Sequence, residues 1–389
     1  MSFIFLFLSI KAQTHYYFKH YEVEHGLSNN TVLCSTQDKK GFMWFGTIDG
    51  LNRFDGYNFK TFRNDPSNPK SIGNNSVFSL CASNDGGLWA GTSKGLFKYD
   101  PIEQSFKLIP STLNKWVHSI CEDAKGNVWL IQDNSLSSYD QKLNALQTFD
   151  QYQFTSVCID QKNDLWVATS DGFLKKYNAI NNSFTSFDVF SKSKQASTKL
   201  IKKVYDTKRG SLLIGTQSEG IKLFDTASGT YKDIIIYNHD KTEIFANDFM
   251  QYSDNEYWAA TEYGIFIYNI DNGKFTSIDA KHKNIYSVSD NAINTLWKDK
   301  EGGVWAGTRF GGISYYSYPY TSFRKYFSMD DNHSISGNGV HEIIPDKNGN
   351  LWIGTEDAGL NKINLRTNTY KHFIPDGKPG SISYSNIHG

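Results

Sequence analysis

The stretch Asp299-Lys300-Glu301-Gly302-Gly303-Val304-Trp305-Ala306-Gly307-Thr308 recurs, with variations, throughout this chain. Its Asp and Gly favour a tight turn, and an apolar segment with a central Trp follows. This Trp position, which we call the anchor, is occupied in eight repeats by Trp44, Trp89, Trp129, Trp166, Leu213, Trp258, Trp305 and Trp352. The eight anchors span 308 residues in seven intervals, so the repeat is 44 residues long.

Each repeat divides into four short segments that favour β-strands. The first is apolar and commonly ends at an Asp six residues before the anchor, and the second carries the anchor. The third begins with Gly-Leu or a similar pair, as at Gly50-Leu51, and the fourth is a short aromatic piece such as Phe59–Phe62. A single four-stranded sheet cannot bury both its faces, but sheets arranged radially bury them against one another. The pattern predicts an all-β fold, a β-propeller.

Two similarities between distant segments indicate the number of blades. The linker 65–72 resembles 376–382, and the segment 18–21 resembles 323–326. In both pairs the second segment lies seven repeats after the first. This spacing favours a seven-bladed propeller over 14–325, in which 18–21 completes the blade formed by about 291–317 and so removes an open edge. Residues 326–389 are then expected to be the first blade of a second, truncated propeller.

The net charge of the chain and the apolar run near its start each restrict the class of protein. Lys plus Arg and Asp plus Glu both number 40, and this balance argues against nucleic-acid binding, which normally needs a basic surplus. The apolar run within 1–13 is too short to cross a bilayer and predicts a clipped signal peptide, with a buried first strand as the alternative.

Three of the four cysteines occupy one place in the repeat. Cys81, Cys121 and Cys158 lie eight residues before their anchors, where another repeat has Tyr205. We therefore predict that they are free thiols in an inward core position, rather than disulfides or a metal site. Cys34 is offset by two residues, and the sequence assigns it no role.

The phrase Asp-x-x-Gly-x-x-Trp-(hydrophobic)-Gly-Thr-x-x-Gly-Leu resembles the two-component regulator propeller repeat. It is fullest over 38–51, 299–313 and 346–360, and the resemblance covers nearly the whole chain after 1–13. Two repeats depart from the phrase, through Ile131, Gln132 and Ser135 in one and Ala168 in the other.

The resemblance implies a location and a role. In that family, two consecutive seven-bladed propellers lie outside the inner membrane of Bacteroides-like bacteria, ahead of a membrane helix and a histidine kinase. The chain is thus expected to be a periplasmic ligand-sensing region of a hybrid two-component regulator. It would bind polysaccharide-derived oligosaccharides and pass the signal to a kinase that this chain lacks. The resemblance also allows a homodimer of the parent protein, with no nucleic-acid contact and with membrane attachment only through missing downstream segments.

The turns between the second and third strands differ from blade to blade, and variable loops on a regular scaffold commonly carry function. Aromatic rings stack on sugar rings, and Arg forms planar bonds to carboxylates and hydroxyls. The candidate ligand-binding residues in these turns, and at the start of one first strand, are Asp49, Glu262, Tyr263, Arg309, Phe310, Trp116 and His118.

Catalytic and metal sites are not predicted. The chain has no Gly-rich phosphate loop, nucleophile elbow or acid-pair motif, so we expect no catalytic residue and no cofactor. A polysaccharide-active propeller enzyme, glycosidase or lyase, remains the alternative because carboxylates from distant blades could face each other. A structural platform for protein partners is a second alternative. The Asp-x-x-Gly turns lack calcium-ligand spacing, with Lys39 and Lys125 intruding, and His15, His20 and His25 fit no zinc spacing.

Overall fold

The computed structural model describes residues 16–193, 196–238, 240–281, 284–318, 323–329 and 333–388. The signal peptide predicted within 1–13, and His15, lie outside these residues. The described chain falls into two compact units. The first comprises the residues up to 279 together with 288–318, and the second comprises 280–287 together with the residues from 319 onward. The boundary predicted between 325 and 326 lies within the second unit.

The first unit begins with strand β1 (Phe18–Tyr21) and a short 3-10 helix, Val23–His25. Six antiparallel sheets follow, each made of four consecutive strands. Blade 1 contains β2 (Val32–Gln37), β3 (Met43–Thr47), β4 (Gly50–Phe54) and β5 (Phe59–Phe62), and blade 2 contains β6 (Val77–Ala82), β7 (Leu88–Thr92), β8 (Gly95–Asp100) and β9 (Ser105–Leu108). A second 3-10 helix, Pro110–Thr112, precedes blade 3, which contains β10 (Val117–Glu122), β11 (Asn127–Gln132), β12 (Ser135–Asp140) and β13 (Ala145–Phe149).

The next three blades repeat this arrangement. Blade 4 contains β14 (Phe154–Ile159), β15 (Leu165–Thr169), β16 (Phe173–Asn178) and β17 (Ser183–Asp188); blade 5 contains β18 (Ile201–Asp206), β19 (Ser211–Thr216), β20 (Ile221–Asp225) and β21 (Thr230–Ile235); blade 6 contains β22 (Ala246–Gln251), β23 (Glu256–Thr261), β24 (Gly264–Asn269) and β25 (Phe275–Ile278).

Blade 7 joins the two ends of the unit. Its strands β26 (Ile293–Lys298), β27 (Val304–Thr308) and β28 (Ile313–Tyr316) are completed by β1, which pairs antiparallel with β28 from Phe18↔Tyr316 to Tyr21↔Ile313. The first strand of each blade contacts that of the next, and β26 contacts β2. The described residues of the first unit therefore form a closed ring of seven sheets, and the predicted propeller and its closure by 18–21 are confirmed.

The hydrophobic core lies between blades. Trp44 of blade 1 is fully buried and packs in one cluster with Val77, Leu88 and other residues of blade 2. A Cβ atom added at Gly46, two residues after this anchor, would lie 2.7 Å from the carbonyl oxygen of Val77. Glycine is needed there because the neighbouring backbone approaches too closely for a side chain.

The turn carboxylates hold the anchors in place. Asp38 accepts the backbone N–H of Phe42 at 3.0 Å with one oxygen and the indole N–H of Trp44 at 2.8 Å with the other. Asp299 bonds the backbone of Gly303 and the indole of Trp305 in the same way, at 2.7 and 2.8 Å. These carboxylate oxygens are occupied by backbone and indole donors, so the Asp-x-x-Gly turns are structural.

The four thiols are free. Cys81, Cys121 and Cys158 lie directly opposite their anchors on the innermost strands, at the place predicted for them. Burial raises the pKa of the Cys81 and Cys158 thiols to about 12. The predicted free thiols are thus confirmed, and they are poor nucleophiles.

The second unit contains one antiparallel sheet of the same type. Its strands are β29 (Val340–Pro345), β30 (Asn350–Thr355), β31 (Leu360–Asn364) and β32 (Thr369–Phe373). Ile335, Ile353 and Ile363 form its small core. No helix among the described residues is long and apolar enough to cross a membrane.

Candidate ligand-binding site

Strand register places the variable turns on one face of the ring. Within blade 1, Val32 at the start of the first strand lies opposite Thr47 at the end of the second, and Thr47 lies opposite Gly50. Blade 7 repeats this with Ile293 and Thr308. Because equivalent strands pack around a closed ring, the turns between second and third strands share one face, which we call the turn face. The opposite face, with the Asp-x-x-Gly turns, is the hairpin face.

The turn face brings together Glu262 of blade 6 and Arg309 of blade 7. The guanidinium Nη2 of Arg309 lies 2.6 Å from Oε1 of Glu262, which also accepts the side-chain amide of Asn247 at 3.1 Å. Tyr263 and Phe310, the next residue in each turn, are 38% and 72% exposed. An exposed ring therefore follows each member of an ion pair that joins two blades, a combination suited to a ligand with both apolar and hydroxyl surfaces.

Trp116 and His118 form a second group, on blade 3. Their rings stack with centroids 4.3 Å apart, and Phe78 of blade 2 meets Trp116 edge-on at 5.6 Å. Trp116 is 40% exposed, whereas Nδ1 of His118 is buried without a hydrogen-bond partner. Burial, and secondarily the charge of Lys202, lowers the pKa of His118 to about 4. The histidine is therefore neutral near pH 7 and serves mainly to support the tryptophan.

Asp49 forms a third group, on blade 1. Its carboxylate lies 3.1 Å from Nη2 of Arg63 and accepts the side-chain amide of Asn75 at 2.9 Å. Among the described residues, no hydrogen bond or ring contact joins this group to the other two. The sequence-predicted residues thus share one face but form three separate groups rather than one pocket.

A polar belt near the ring axis was missed by sequence reasoning. It occupies the position ten residues before the anchor in blades 2 to 7, on the innermost strands. Ser119 accepts the backbone N–H of Val157 at 3.2 Å, and Ser156 accepts that of Val204 at 3.2 Å. Each side chain thus satisfies a backbone donor on the edge of the next blade's first strand.

Two members of this belt are charged. Lys203 and Asp248 occupy the same position in successive repeats and form an ion pair with a distance of 2.8 Å. The signal was present in the sequence, because two opposite charges at one repeat position in otherwise apolar strands predict a contact between neighbouring blades.

Hollows in the surface lie on the other face. Two of them, of about 590 and 730 Å³, lie on the hairpin face, between blades 3 and 4 and between blades 5 and 6. Within the part of the chain that the structure describes, no three His, Cys, Asp or Glu side chains gather as metal ligands would.

The architecture defines the protein as a β-propeller built from tandem sheet repeats. The family model described as two component regulator propeller matches residues 26–49, 71–94 and 334–357. These three segments, which together make up less than a fifth of the chain, are therefore similar to two-component regulator propeller repeats.

Several of the known proteins similar to the chain belong to signalling systems. It is 48% identical over 71 residues to histidine kinase P4 of Formosa agariphila, an alignment that covers 18% of this chain and 5% of the kinase. The extracellular domain of the hybrid two-component system BT3049 from B. thetaiotaomicron is 25% identical, with a TM-score of 0.75 over 96% of this chain and 50% of that domain. The extracellular domain of BT4673 from the same organism shares the fold, with a TM-score of 0.68, 21% identity and coverage of 92% of this chain and 54% of that domain. The chain therefore spans about half the length of these two extracellular domains.

Proposed function

We propose that this chain is the ligand-sensing propeller region of a hybrid two-component regulator, located in the periplasm. It binds oligosaccharides released from polysaccharides on its turn face and passes the signal to a histidine kinase in the same polypeptide. The chain itself catalyses no reaction. The observation that carries this proposal is the 25% identity to an extracellular hybrid two-component domain over 96% of the chain, together with the match to a histidine kinase.

The chemistry of the turn face supports a sugar ligand. Trp116, Tyr263 and Phe310 offer exposed aromatic surface, which binds the apolar face of a sugar ring. Arg309 and Glu262 supply paired donors and acceptors for hydroxyl groups. The three groups are spread over several blades, so the site suits an extended oligosaccharide that contacts more than one group.

Calorimetric titration with oligosaccharides from digested polysaccharides tests this proposal. The chain should bind at least one of them without shortening it, as judged by chromatography of the sugar afterwards. Trp116→Ala with Arg309→Ala should weaken binding by about tenfold or more, because aromatic and Arg contacts dominate such interfaces.

Tyr57→Ala provides the matched control. Tyr57 is an exposed ring on a turn between the third and fourth strands, away from the turn face, so its removal should leave binding unchanged. Release of shortened sugar would overturn the sensor proposal in favour of a propeller enzyme. Binding that survives the double substitution would place the ligand away from these residues.

A further inference from the structure

On the hairpin face, the side chain of Lys98 fills the space between blades 2 and 3. Lys98 lies directly opposite the anchor Trp89, and its ammonium is 4.8 Å from the centroid of the indole ring. The same ammonium donates to Oε1 of Gln141 in blade 3 at 2.8 Å and pairs with Asp85. The anchor beneath this group is fully buried.

The equivalent space between blades 3 and 4 has lost both of these side chains. Ser138 lies opposite Trp129, where Lys98 lies opposite Trp89. In the next turn, Ala179 follows the strand-ending Asn178 as Gln141 follows Asp140. The other cations opposite anchors are Arg53, Lys176 and Lys362, which approach the indole rings at 5.8, 5.5 and 5.0 Å.

This loss accounts for the hollow of about 590 Å³, whose lining includes Trp129 and Ala179. Trp129 is 8% exposed, whereas Trp89 is 0% exposed. The volume lies within the range of small-ligand pockets, roughly 300–1,000 Å³. The ring of Tyr177, 5.3 Å from that of Trp129, and the exposed Ile180 add apolar surface.

The hollow is lined by two cations, Lys125 and Lys176, and two carboxylates, Asp123 and Asp164, so the pairing of these groups decides which ligand it can bind. Lys125 occupies the position that Asp85 holds in blade 2, four residues before the anchor, so an anion has been replaced by a cation. Among the described residues, Lys125 makes no ion pair, whereas the other lining ammonium, that of Lys176, is paired with Asp164 at 2.5 Å. A ligand carboxylate can therefore pair with Lys125, while an ammonium in the place of Lys98 would be repelled.

We propose that this hollow is a binding site for a hexuronate, a sugar ring that carries a carboxylate. Trp129 and Tyr177 contact the apolar face of the ring, Lys125 binds the carboxylate, and the side-chain amides of Asn127 and Asn163 at the rim bind hydroxyl groups. The site lies on the hairpin face and does not depend on the turn-face site, so either can fail without the other.

Calorimetry with trigalacturonate and with neutral galactotriose tests the proposal on the whole chain. Trigalacturonate should bind about three- to fivefold more tightly than the neutral trimer, because the ion pair between a ligand carboxylate and an exposed Lys is partly screened by solvent. Lys125→Ala should abolish the preference while leaving the fold intact, since this side chain is exposed.

A variant that fills the hollow gives the second measurement. Ser138→Gln with Ala179→Gln puts two long neutral side chains where Lys98 and Gln141 lie between blades 2 and 3. It should weaken trigalacturonate binding by about tenfold or more without lowering the melting temperature, because it fills space rather than removing contacts. Absence of binding to the parent chain, or undiminished binding to both variants, overturns the proposal. Tyr57→Ala, which lies outside both sites, should leave trigalacturonate binding unchanged, and a loss of binding in Trp116→Ala with Arg309→Ala would assign the uronate to the turn face instead.

Discussion

The ammonium of Lys203 lies 2.8 Å from the carboxylate of Asp248, across the boundary between blades 5 and 6. The same carboxylate accepts the hydroxyl of Thr295 at 3.0 Å and the backbone N–H of Leu296 at 3.1 Å in blade 7. Thr295 in turn shares a 2.9 Å hydrogen bond with Ser35 of blade 1. One polar network therefore connects four successive blades, including blade 7, in which the ring closes.

Asp248→Ala should destabilise the chain by about 2–4 kcal/mol, because it leaves a cation and a backbone donor without their partner. Lys203→Met should cost less, about 1 kcal/mol, since the ammonium is partly exposed and screened by solvent. Urea unfolding of the two variants measures the difference. If both variants lose the same free energy of unfolding, the stabilisation by Asp248 comes from its ion pair and not from its hydrogen bonds to blade 7.

Tyr21→Ala should weaken ring closure. Tyr21 is buried on β1, stacks on Trp305 with centroids 5.8 Å apart and meets Phe54 of blade 1 at 5.2 Å. Removing a buried aromatic ring costs about 3–5 kcal/mol. Tyr57→Ala, which removes a ring that is 90% exposed, should change the free energy of unfolding by less than about 0.5 kcal/mol. Denaturant titration compares the two, and similar losses would contradict the role assigned to β1.

Asp299→Ala should destabilise blade 7 by about 1–3 kcal/mol, because the backbone N–H of Gly303 and the indole N–H of Trp305 lose their acceptor. Asp150→Ala is the control, since Asp150 is exposed and makes no hydrogen bond within the described residues. Thermal unfolding monitored by circular dichroism provides the measurement. A retained melting temperature for Asp299→Ala would mean that water replaces the carboxylate without cost.

The four thiols should resist Ellman's reagent in the native chain at pH 8 and react fully after denaturation. Burial raises the pKa of Cys81 and Cys158 to about 12, while an unfolded thiol ionises near 8.5. Stability from these groups is complete below the unfolded pKa and declines as the pH rises towards 12, by at most about 1.4 kcal/mol per pH unit for each thiol. Replacing both residues by Ser should reduce the slope of stability against pH between 9 and 11. An unchanged slope would assign it to other groups.

The fold is largely predictable from the sequence because every repeat contains the same local features. The Asp-x-x-Gly turn, the anchor and the following Gly or Ala are all local features. Partners from other blades are less accessible. Ser83 replaces the usual Asp before Trp89, and the indole N–H bonds instead to Glu122 of the next blade at 3.0 Å. Trp258 uses Glu256, two residues earlier, at 2.8 Å.

The candidate sites were predictable to different degrees. The exposed rings and charges of the turn face follow from the variability of the turns, but the Arg309–Glu262 pair depends on the distance between two blades. The hollow between blades 3 and 4 results from small residues, Ser138 and Ala179, where longer ones fill the equivalent space elsewhere. No motif marks a missing side chain, and only comparison of paired positions in three dimensions makes it visible.

The pairing of Phe18 with Tyr316 also bears on how the chain folds. Blades 1 to 6 can each form from neighbouring residues soon after synthesis, but β1 finds its partner only when a segment almost 300 residues later has left the ribosome. Contacts of such long range slow folding, because the entropy of closing the loop is lost before the pairing compensates for it. Until then the backbone of 18–21 can pair with strands of other chains. We therefore expect the nascent chain to be most prone to aggregation during this interval.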